Sequence, residues 1–312
     1  MRKMIAAAAG LLLAGPVLTM TPAHAAQTAQ TAQTAQTASS CYVQSGGITA
    51  GNDSVDRYVN STSPITVKPV DVMAKNPFGS RPISLSTQWT WDDDFGDQMS
   101  LDGHIVSGDV MYQAHQWVQK GSGGQVVSSS LTKIGGGWSA FRTLTQSWSL
   151  ETTGRRVYAL RGDGSLFRWN LSTQNNGTEV WKAAGSYPGF SAVKAVTLLS
   201  RTPTYDSLLA TTWGGALYSI RIPLTSPMKP IVTPLRTRTW GSFERLLTAR
   251  CGNYGTLLLG IDKDTSAGYL YAVGHANGTA TVINSLGKVP TTFDDRIDFS
   301  WGSVVDAPLN GD

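Results

Sequence analysis

The amino-acid sequence predicts an all-β fold, a five-bladed β-propeller with four-stranded blades whose ring is closed by N-terminal strands. Two short motifs recur in step at intervals of about 50 residues between positions 91 and 301. The segments between them have the pattern of short strands separated by glycine-rich turns. No stretch of twelve residues combines a helical apolar period with helix-capping residues. A unit of this length with four short strands is typical of a propeller blade.

The first motif is an aromatic residue followed three or four positions later by phenylalanine. Four copies end at Phe95, Phe141, Phe190 and Phe243, and a weaker copy without the leading aromatic residue ends at Phe293. The second motif is Gly-x-Leu-aromatic, with copies at 164–167, 215–218 and 268–271 and a degraded copy at 108–112. Because the two motifs keep the same step, we interpret them as parts of one repeating structural unit.

Each unit contains two predicted strands that flank a turn. The strand pairs are 156–160 with 166–169, 208–210 with 217–220, and 257–261 with 270–273. Glycine, aspartate and serine dominate the connecting segments, as expected of tight hairpin turns.

The two ends of the chain predict how the ring closes. After Phe293 the sequence holds one clear strand, at 296–301, so the fifth blade lacks its remaining strands. Segment 41–90 carries strand-like runs at 65–67 and 83–85 and no repeat motif. We expect this segment to supply the missing strands, which would bring the N-terminus next to the fourth blade.

The first 40 residues are predicted to lie outside the fold. Residues 1–25 have a basic start, a short apolar run and an Ala-His-Ala cleavage site, which indicates a secretory signal peptide, with an N-terminal anchor as the alternative. Residues 26–40 are largely Gln-Thr-Ala repeats and predict a disordered spacer, since they offer no side chain for a core. The predicted propeller therefore spans 41–312. No later apolar run is long enough to span a membrane, and the predicted location is extracellular.

Cys41 and Cys251 are the two cysteines of the chain. In an exported protein the expectation is one disulfide between them, with two free thiols as the alternative. Cys41 begins the predicted propeller and Cys251 lies in the fourth repeat, so the bond would agree with the predicted ring closure.

Charge excludes one class of partner. The formal net charge of the whole chain is +4, and Arg2 and Lys3 belong to the predicted signal peptide. Phosphate binding needs grouped lysine and arginine, and the sequence shows no such group. The sequence therefore predicts no nucleic-acid partner.

One repeat carries a family resemblance. Gly-Trp-Ser-Ala-Phe at 137–141, Val-Tyr-Ala-Leu at 157–160 and Asp-Gly-Ser-Leu-Phe-Arg at 163–168 together resemble a repeat of the tachylectin-2-type lectins. The resemblance implies a five-bladed propeller that binds N-acetylated amino sugars between blades. Two later units depart from the family's Asp-Gly, with Gly-Gly at 214–215 and Ala-Gly at 267–268. The departures imply that the fold is kept while most of the sugar sites are lost.

A sugar site needs an aromatic platform and polar groups that bind hydroxyls. The candidate ligand-binding residues, all near predicted turns or blade starts, are Trp138, Asp163, Trp213, Trp240, His275, Asn277 and Trp301. For each tryptophan the alternative is a role in the core. The predicted partners are glycans on a cell surface or polysaccharide. The alternative function is a scaffold or adaptor that docks other secreted protein subunits in a toxin or adhesion assembly.

Catalytic and metal-binding patterns are weak. His104, His115 and His275 form no known catalytic or zinc motif, and the Ser-x-x-Lys matches at 130–133 and 191–194 are expected by chance. The sequence predicts no enzyme and no cofactor, although a propeller hydrolase or lyase acting on polysaccharide stays open. An acidic cluster at 92–94 has oxygen ligands that suit Ca²⁺. A solvated turn is the favoured interpretation, so no metal site is predicted.

Overall fold

The computed structural model describes residues 41–148, 154–303 and 308–312, with the side chain of Ser303 left out. The predicted signal peptide (1–25) and spacer (26–40) lie outside the described residues. Within the described ranges the secondary structure is almost entirely β-strand, and the one helical element is a 3-10 turn at Trp138–Ala140. The all-β prediction is confirmed. No helix able to cross a membrane occurs in this part of the chain.

The N-terminal third of the described chain forms nine strands. They are β1 (Tyr42–Ile48), β2 (Ser54–Asn60), β3 (Thr66–Val67), β4 (Asp71–Ala74), β5 (Ile83–Ser86), β6 (Trp89–Phe95), β7 (Gln98–Ser107), β8 (Val110–Gln119) and β9 (Val126–Gly135). β5 and β6 both pair with β7, separated by a short irregularity, so together they form one long interrupted strand.

The remaining strands build three regular sheets and one C-terminal strand. They are β10 (Phe141–Ser147), β11 (Arg155–Arg161), β12 (Leu166–Thr173), β13 (Glu179–Tyr187), β14 (Val193–Arg201), β15 (Tyr205–Thr212), β16 (Leu217–Pro223), β17 (Ile231–Arg236), β18 (Arg245–Cys251), β19 (Gly255–Asp262), β20 (Ala267–Val273), β21 (Ile283–Thr292) and β22 (Ile297–Ser303). β10–β13, β14–β17 and β18–β21 each form a four-stranded antiparallel sheet in sequence order. The predicted strand pairs are the central hairpins β11–β12, β15–β16 and β19–β20.

A ten-stranded sheet joins the two ends of the chain. Its main path runs β3-β2-β1-β22-β6-β7-β8-β9, with β4 paired to β2 and β5 paired to β7. β1 and β22 pair antiparallel, with Ser45 opposite Ser300, as expected of N-terminal strands that complete the last unit. The run at 83–85 was expected to supply a strand to the last unit, and this expectation is wrong. It lies in β5 and pairs with β7, because its apolar side chains Ile83 and Leu85 complete the core beside β7.

The disulfide links β1 to the fourth repeat. Cys41, directly before β1, is bonded to Cys251 at the end of β18, with 5.5 Å between their Cα atoms. Both half-cystines pack against an apolar cluster that includes Val43, Leu247 and Leu257. The cross-link therefore joins the N-terminal strand to a sheet that lies far away in sequence.

The first strands of the sheets pack side by side. β5 contacts β10, β10 contacts β14, and β14 contacts β18. β18 contacts β1 and β22, and β22 contacts β5. A cavity of about 300 Å³ lies among these strands, and its lining includes Thr143, Thr197 and Thr248.

Buried ion pairs join neighbouring sheets. Arg156 of β11 bonds Asp206 of β15, with Nε to Oδ2 at 2.6 Å and Nη2 to Oδ1 at 2.9 Å. The hydroxyl of Tyr158 donates to the same carboxylate at 2.7 Å. A side-chain hydrogen bond of 2.5 Å, between His104 Nε2 of β7 and Glu179 Oε2 of β13, links the preceding boundary. The charges of Arg156 and Asp206 are bonded to each other, which offsets the cost of removing them from water.

Candidate functional site

Four of the five copies of the first motif meet the second motif, or the turn beside it, at one end of the sheets, called here the turn face. The copy that ends at Phe95 lies at the other end, beside the β6–β7 turn, so the expectation that it is equivalent to the others is wrong. The turn face comprises the turns that follow β7, β11, β15 and β19, and the loops that precede β10, β14, β18 and β22. At each boundary a backbone N–H in the loop of one unit donates to a turn carbonyl of the unit before it. The bonds run from Trp138 to Asp109 (3.1 Å), Phe190 to Gly164 (2.8 Å), Trp240 to Gly215 (2.9 Å) and Phe293 to Ser266 (2.9 Å). The two sequence motifs are thus the two halves of one inter-sheet contact.

Glycine is required at two of these turns. Gly164 and Gly215 both have a φ of 86°, a left-handed backbone conformation that other residues adopt at a cost. A Cβ at Gly164 would also lie 2.4 Å from the backbone nitrogen of Ser191. The close approach lets the neighbouring loop reach the turn.

Three of the predicted ligand-binding tryptophans are buried. Trp138 is 5% exposed, and its ring packs against Trp169 and Trp181. Trp240 is also 5% exposed and packs against Phe243 and Tyr271. Both rings fill the space between sheets in this structure and present little surface to a ligand.

Trp301 is also buried, at 4% exposure, in the ten-stranded sheet. Its Nε1–H donates to the carbonyl of Val55 at 3.0 Å, and its ring packs against Trp89 and Phe299. The polar atom of the indole is therefore already used within the protein.

Asp163 lies exposed in the β11–β12 turn. Its Oδ2 accepts from Arg161 Nε at 2.9 Å, and its Oδ1 accepts from the backbone N–H of Ser165 at 2.9 Å. These hydrogen bonds hold the pKa of Asp163 well below its usual value. Arg161 also stacks over the ring of Phe167, at 4.9 Å from the centroid. The carboxylate mainly orders its own turn.

Trp213 is the one predicted tryptophan with an open ring, at 61% exposure. Nζ of Lys194 lies 5.2 Å from its ring centroid and donates to the carbonyl of Gly241 at 2.5 Å. The same ammonium pairs with the carboxylate of Glu244. We name Trp213, Lys194, Gly241 and Glu244 the Trp213 patch. It combines an exposed aromatic surface with a mostly buried cation and a partly exposed carboxylate at the boundary between two sheets.

A cation occupies the same place at two other boundaries. Arg142 donates to the carbonyls of Phe190 (3.0 Å) and Ser191 (3.2 Å). Lys263 donates to the carbonyls of Phe293 (2.9 Å) and Asp295 (2.6 Å). Burial lowers the pKa of Arg142 from its usual value. The cation that caps the loop carbonyls is therefore a repeated feature, and the exposed tryptophan beside Lys194 is what distinguishes its boundary.

His275 and Asn277 lie at the other end of their sheet. They follow β20, whereas the turn face is where β20 begins, so the antiparallel order separates them from Trp213 and Asp163. The ring of His275 lies 5.7 Å from the exposed ring of Tyr254. The backbone N–H of Asn277 donates to Thr281 Oγ1 at 2.8 Å, which closes a local turn.

Sequence reasoning missed Lys194 and Glu244. The pattern at 191–194 contained Lys194 but was attributed to chance, and Glu244 follows Phe243 without any motif of its own. A basic residue recurs at the second position of the strands that begin two of the sheets, as Arg142 and Lys194, and this was the available signal.

The acidic cluster lies in β6, at a register shift in its pairing with β7. Asp92, Asp93 and Asp94 each place a carboxylate oxygen within 4.8 Å of the others. The backbone N–H of Asp94 donates to Asp92 Oδ1 at 3.0 Å. The expected turn is wrong, because these residues lie in a strand, and the carboxylates of Asp93 and Asp94 are exposed to solvent.

Comparison with known proteins gives distant similarities. No protein-family model and no curated protein matches the chain. Among solved structures, the chain is similar to SapL1 lectin in complex with alpha methyl fucoside, at 12% identity over 80% of each chain with a TM-score of 0.39. It is also similar to BP39L lectin from Burkholderia pseudomallei, at 14% identity over 80% of this chain and 70% of that one, with a TM-score of 0.32.

A third similarity is to the WD40 domain of SCAP from fission yeast. The identity is 8% over 82% of this chain and 71% of that chain, and the TM-score is 0.34. With TM-scores this low, these similarities establish neither a fold family nor a function for the chain.

Proposed function

We propose that this protein is a secreted, non-catalytic carbohydrate-binding protein built on a five-bladed β-propeller. Three blades are the regular four-stranded sheets. The other two are the halves of the ten-stranded sheet, one formed by β22 with β1–β4 and the other by β5–β9. The successive contacts between the first strands of the sheets support a ring around the 300 Å³ cavity.

The disulfide supports export, because disulfides persist in oxidising compartments. The predicted signal peptide points to the same location.

The Trp213 patch is the observation that carries the proposed binding function. A sugar ring has an apolar face that stacks on an indole, and hydroxyls that bond to charged and backbone groups. Trp213 supplies the open aromatic surface, and Glu244 and Lys194 supply polar atoms within the same boundary. The family resemblance of segment 137–168 adds the finer proposal that the preferred sugars are N-acetylated amino sugars.

A glycan array followed by calorimetry tests this function. We expect binding to glycans ending in N-acetylglucosamine or N-acetylgalactosamine, and at least about tenfold weaker binding after Trp213→Ala, because the stacked apolar surface is lost. Tyr254→Ala is the matched control, since Tyr254 is equally exposed but lies at the other end of the sheets. No binding to any glycan would refute the proposal.

A protein-docking role is the second candidate. The outer strand β17 exposes two consecutive apolar side chains, Ile231 and Val232, on the edge of its sheet. Exposed apolar edges are common contact sites for other proteins. Stoichiometric co-purification of another protein, lost on Ile231→Lys and Val232→Lys, would favour this role over sugar binding.

A further inference from the structure

The outer edges of the sheets differ in how well they are protected against a further strand. The first strands of the regular sheets lie beside the cavity, and the last strands, β13, β17 and β21, form the opposite edges. The ten-stranded sheet ends in β9 on one side and in the short strands β3 and β4 on the other. An edge strand presents unpaired backbone N–H and C=O groups, so proteins usually protect such edges with proline, charge, bulges or short strands.

Four of these five outer edges carry such a device. Pro234 lies in β17, and Lys288 and Pro290 lie in β21. β13 has an exposed lysine, Lys182, in its middle. The fourth edge is divided into β3, with two residues, and β4, with four. Proline removes a backbone donor, and an edge lysine discourages pairing with another strand.

The edge of β9 lacks these devices over its central part. Residues 128–133 pair with β8 in one continuous register, and the bulges in this pairing lie before and after that run. Residues 128–132 contain no proline and no charged side chain. Among the residues that the structure describes, no strand pairs with the outer edge of β9. The edge therefore offers a regular and uncharged backbone to another strand.

One face of β9 is anchored and the other is open. Leu131 packs against the apolar cluster that contains Phe78, and the hydroxyl of Ser129 donates to the carbonyl of Pro77 at 3.2 Å. Ser128, Ser130 and Thr132 alternate with these residues and are exposed to solvent. The strand is thus held in an extended conformation before any partner binds, which lowers the entropic cost of adding a strand.

We propose that β9 pairs antiparallel with β9 of a second copy of this chain, about a two-fold axis through Ser130. In this register Ser130 lies opposite its own counterpart. Ser128 lies opposite Thr132, and Ser129 lies opposite Leu131. A two-fold interface must be complementary to itself, and this run of small and uncharged side chains meets that condition. Serine and threonine at opposite positions are also favourable pairs across two strands.

The charge at the end of β9 selects the antiparallel direction. Lys133 is the one charged residue of the strand. An in-register parallel pairing would place the two Lys133 side chains next to each other, which is unfavourable. The antiparallel pairing places each Lys133 opposite Val127 and keeps the two ammonium groups at opposite ends of the contact.

The proposed pairing limits the assembly to two copies. It uses the β9 edge of both chains, so no further copy can add by the same contact. A contact of one strand pair is small, so we expect a reversible dimer whose fraction rises with protein concentration. The dimer would carry two Trp213 patches, but the pairing itself does not depend on what the patch binds.

Cross-linking of the Ser130→Cys variant tests the register directly. Directly opposite residues of antiparallel strands have Cβ atoms about 4.5–5.5 Å apart, close to the spacing in a disulfide. Mild oxidation of the purified protein, with the Cys41–Cys251 bond intact, should give a covalent dimer on a non-reducing gel. Ser285→Cys is the matched control, because Ser285 is also an exposed serine in an outer strand, β21. No dimer from Ser130→Cys, or equal amounts from both variants, would overturn the proposed pairing.

Sedimentation velocity over a wide range of concentrations measures the association without a cross-link. We expect a reversible dimer for the native protein, and dimerisation at least about tenfold weaker for Ser130→Lys, because two like charges would lie directly opposite each other. Ser285→Lys should leave the association unchanged. A native protein that is monomeric at every concentration would overturn the proposal, and so would a dimer that Ser130→Lys does not weaken. The proposed carbohydrate-binding function is tested separately by the glycan array, so either proposal can fail without the other.

Discussion

The three regular sheets and the ten-stranded sheet are held together by different means. Each regular sheet comes from one contiguous segment, and the same loop-to-turn hydrogen bond connects it to its neighbour. The ten-stranded sheet combines both ends of the chain and has the longest hairpin, with ten residues in each of β7 and β8. Buried polar atoms without a hydrogen-bond partner occur in both regions, for example on Asp56 in the ten-stranded sheet and on Gln146 and Arg168 in a regular sheet. The difference therefore lies in how the strands are joined, by one repeated contact between contiguous sheets or by the pairing of strands from both ends of the chain.

The largest expected effect lies in the regular part. Asp206 is fully buried and binds Arg156, Tyr158 and Ser147, so Asp206→Ala leaves a buried arginine without its counter-charge. We expect a loss of about 3–5 kcal/mol in the free energy of unfolding, measured by urea denaturation. Asp163→Ala breaks an exposed arginine pair and is the matched control, with a much smaller expected loss because solvent screens that pair. Equal losses would show that the buried pair does not stabilise this boundary.

Removal of the disulfide should affect the ten-stranded sheet. We expect Cys251→Ser to lower the free energy of unfolding by about 2–5 kcal/mol, because the bond restricts a long loop in the unfolded chain. Thermal unfolding with and without a reductant measures the effect. The reductant should destabilise the native protein and leave the variant unchanged. A variant as stable as the native protein would mean that β1 is held by strand pairing alone.

Gly164 and Gly215 have the same φ, so alanine variants of the two allow the cost of crowding to be measured apart from that of backbone strain. We expect Gly215→Ala to lower the free energy of unfolding by about 1–2 kcal/mol, the cost of a left-handed backbone at alanine. Its new Cβ would lie 3.3 Å from the nearest atom, so the main cost is backbone strain. Gly164→Ala should cost more, because its Cβ would lie 2.4 Å from a backbone atom that cannot move without shifting the loop. Denaturant unfolding of the two variants gives the difference directly. Identical losses would argue against a close contact between this turn and the neighbouring loop.

The smallest expected effect is on the pH dependence of the free energy of unfolding. It should have opposite signs for Asp56 in the ten-stranded sheet and Glu179 in a regular sheet. Burial raises the pKa of Asp56 to about 7, and Asp71 opposite it adds to the rise, while the bond from Gln44 and the charge of Arg57 oppose it. A group with a raised pKa binds more protons when folded, so its contribution to stability falls as pH rises from about 4 to 7. Asp56→Asn should therefore gain at least about 1 kcal/mol over the native protein at pH 8 and little at pH 4.

Glu179 supplies the contrast. Its bonds to His104 and Arg155 outweigh its burial and lower its pKa to about 2, so its contribution to stability is lost as pH falls below about 4. Urea unfolding across this pH range should give Glu179→Gln a deficit at pH 7 that narrows toward pH 2. For either carboxylate, a difference in free energy of unfolding between variant and native protein that does not change with pH would contradict the assigned direction of the pKa shift.

The sequence predicted the repeating strands better than the site. Both motifs combine glycine turns with apolar alternation, and these signals depend on local backbone geometry and burial, which a sequence displays directly. Whether an indole ring is covered depends on the neighbouring sheet, so Trp138 and Trp213 could not be told apart before the structure was known. Lys194 and Glu244 come together across two sheets, and no local pattern in the sequence reports that contact.

The bond between Cys41 and Cys251 also determines how the protein carries mechanical load. A pull on the chain before Cys41 reaches the first residue of the described fold, where β1 could otherwise be peeled from β2 and β22 one hydrogen bond at a time. The cross-link passes part of that load to the end of β18, inside another sheet. Several strands then have to yield together before the N-terminal end of the fold unravels.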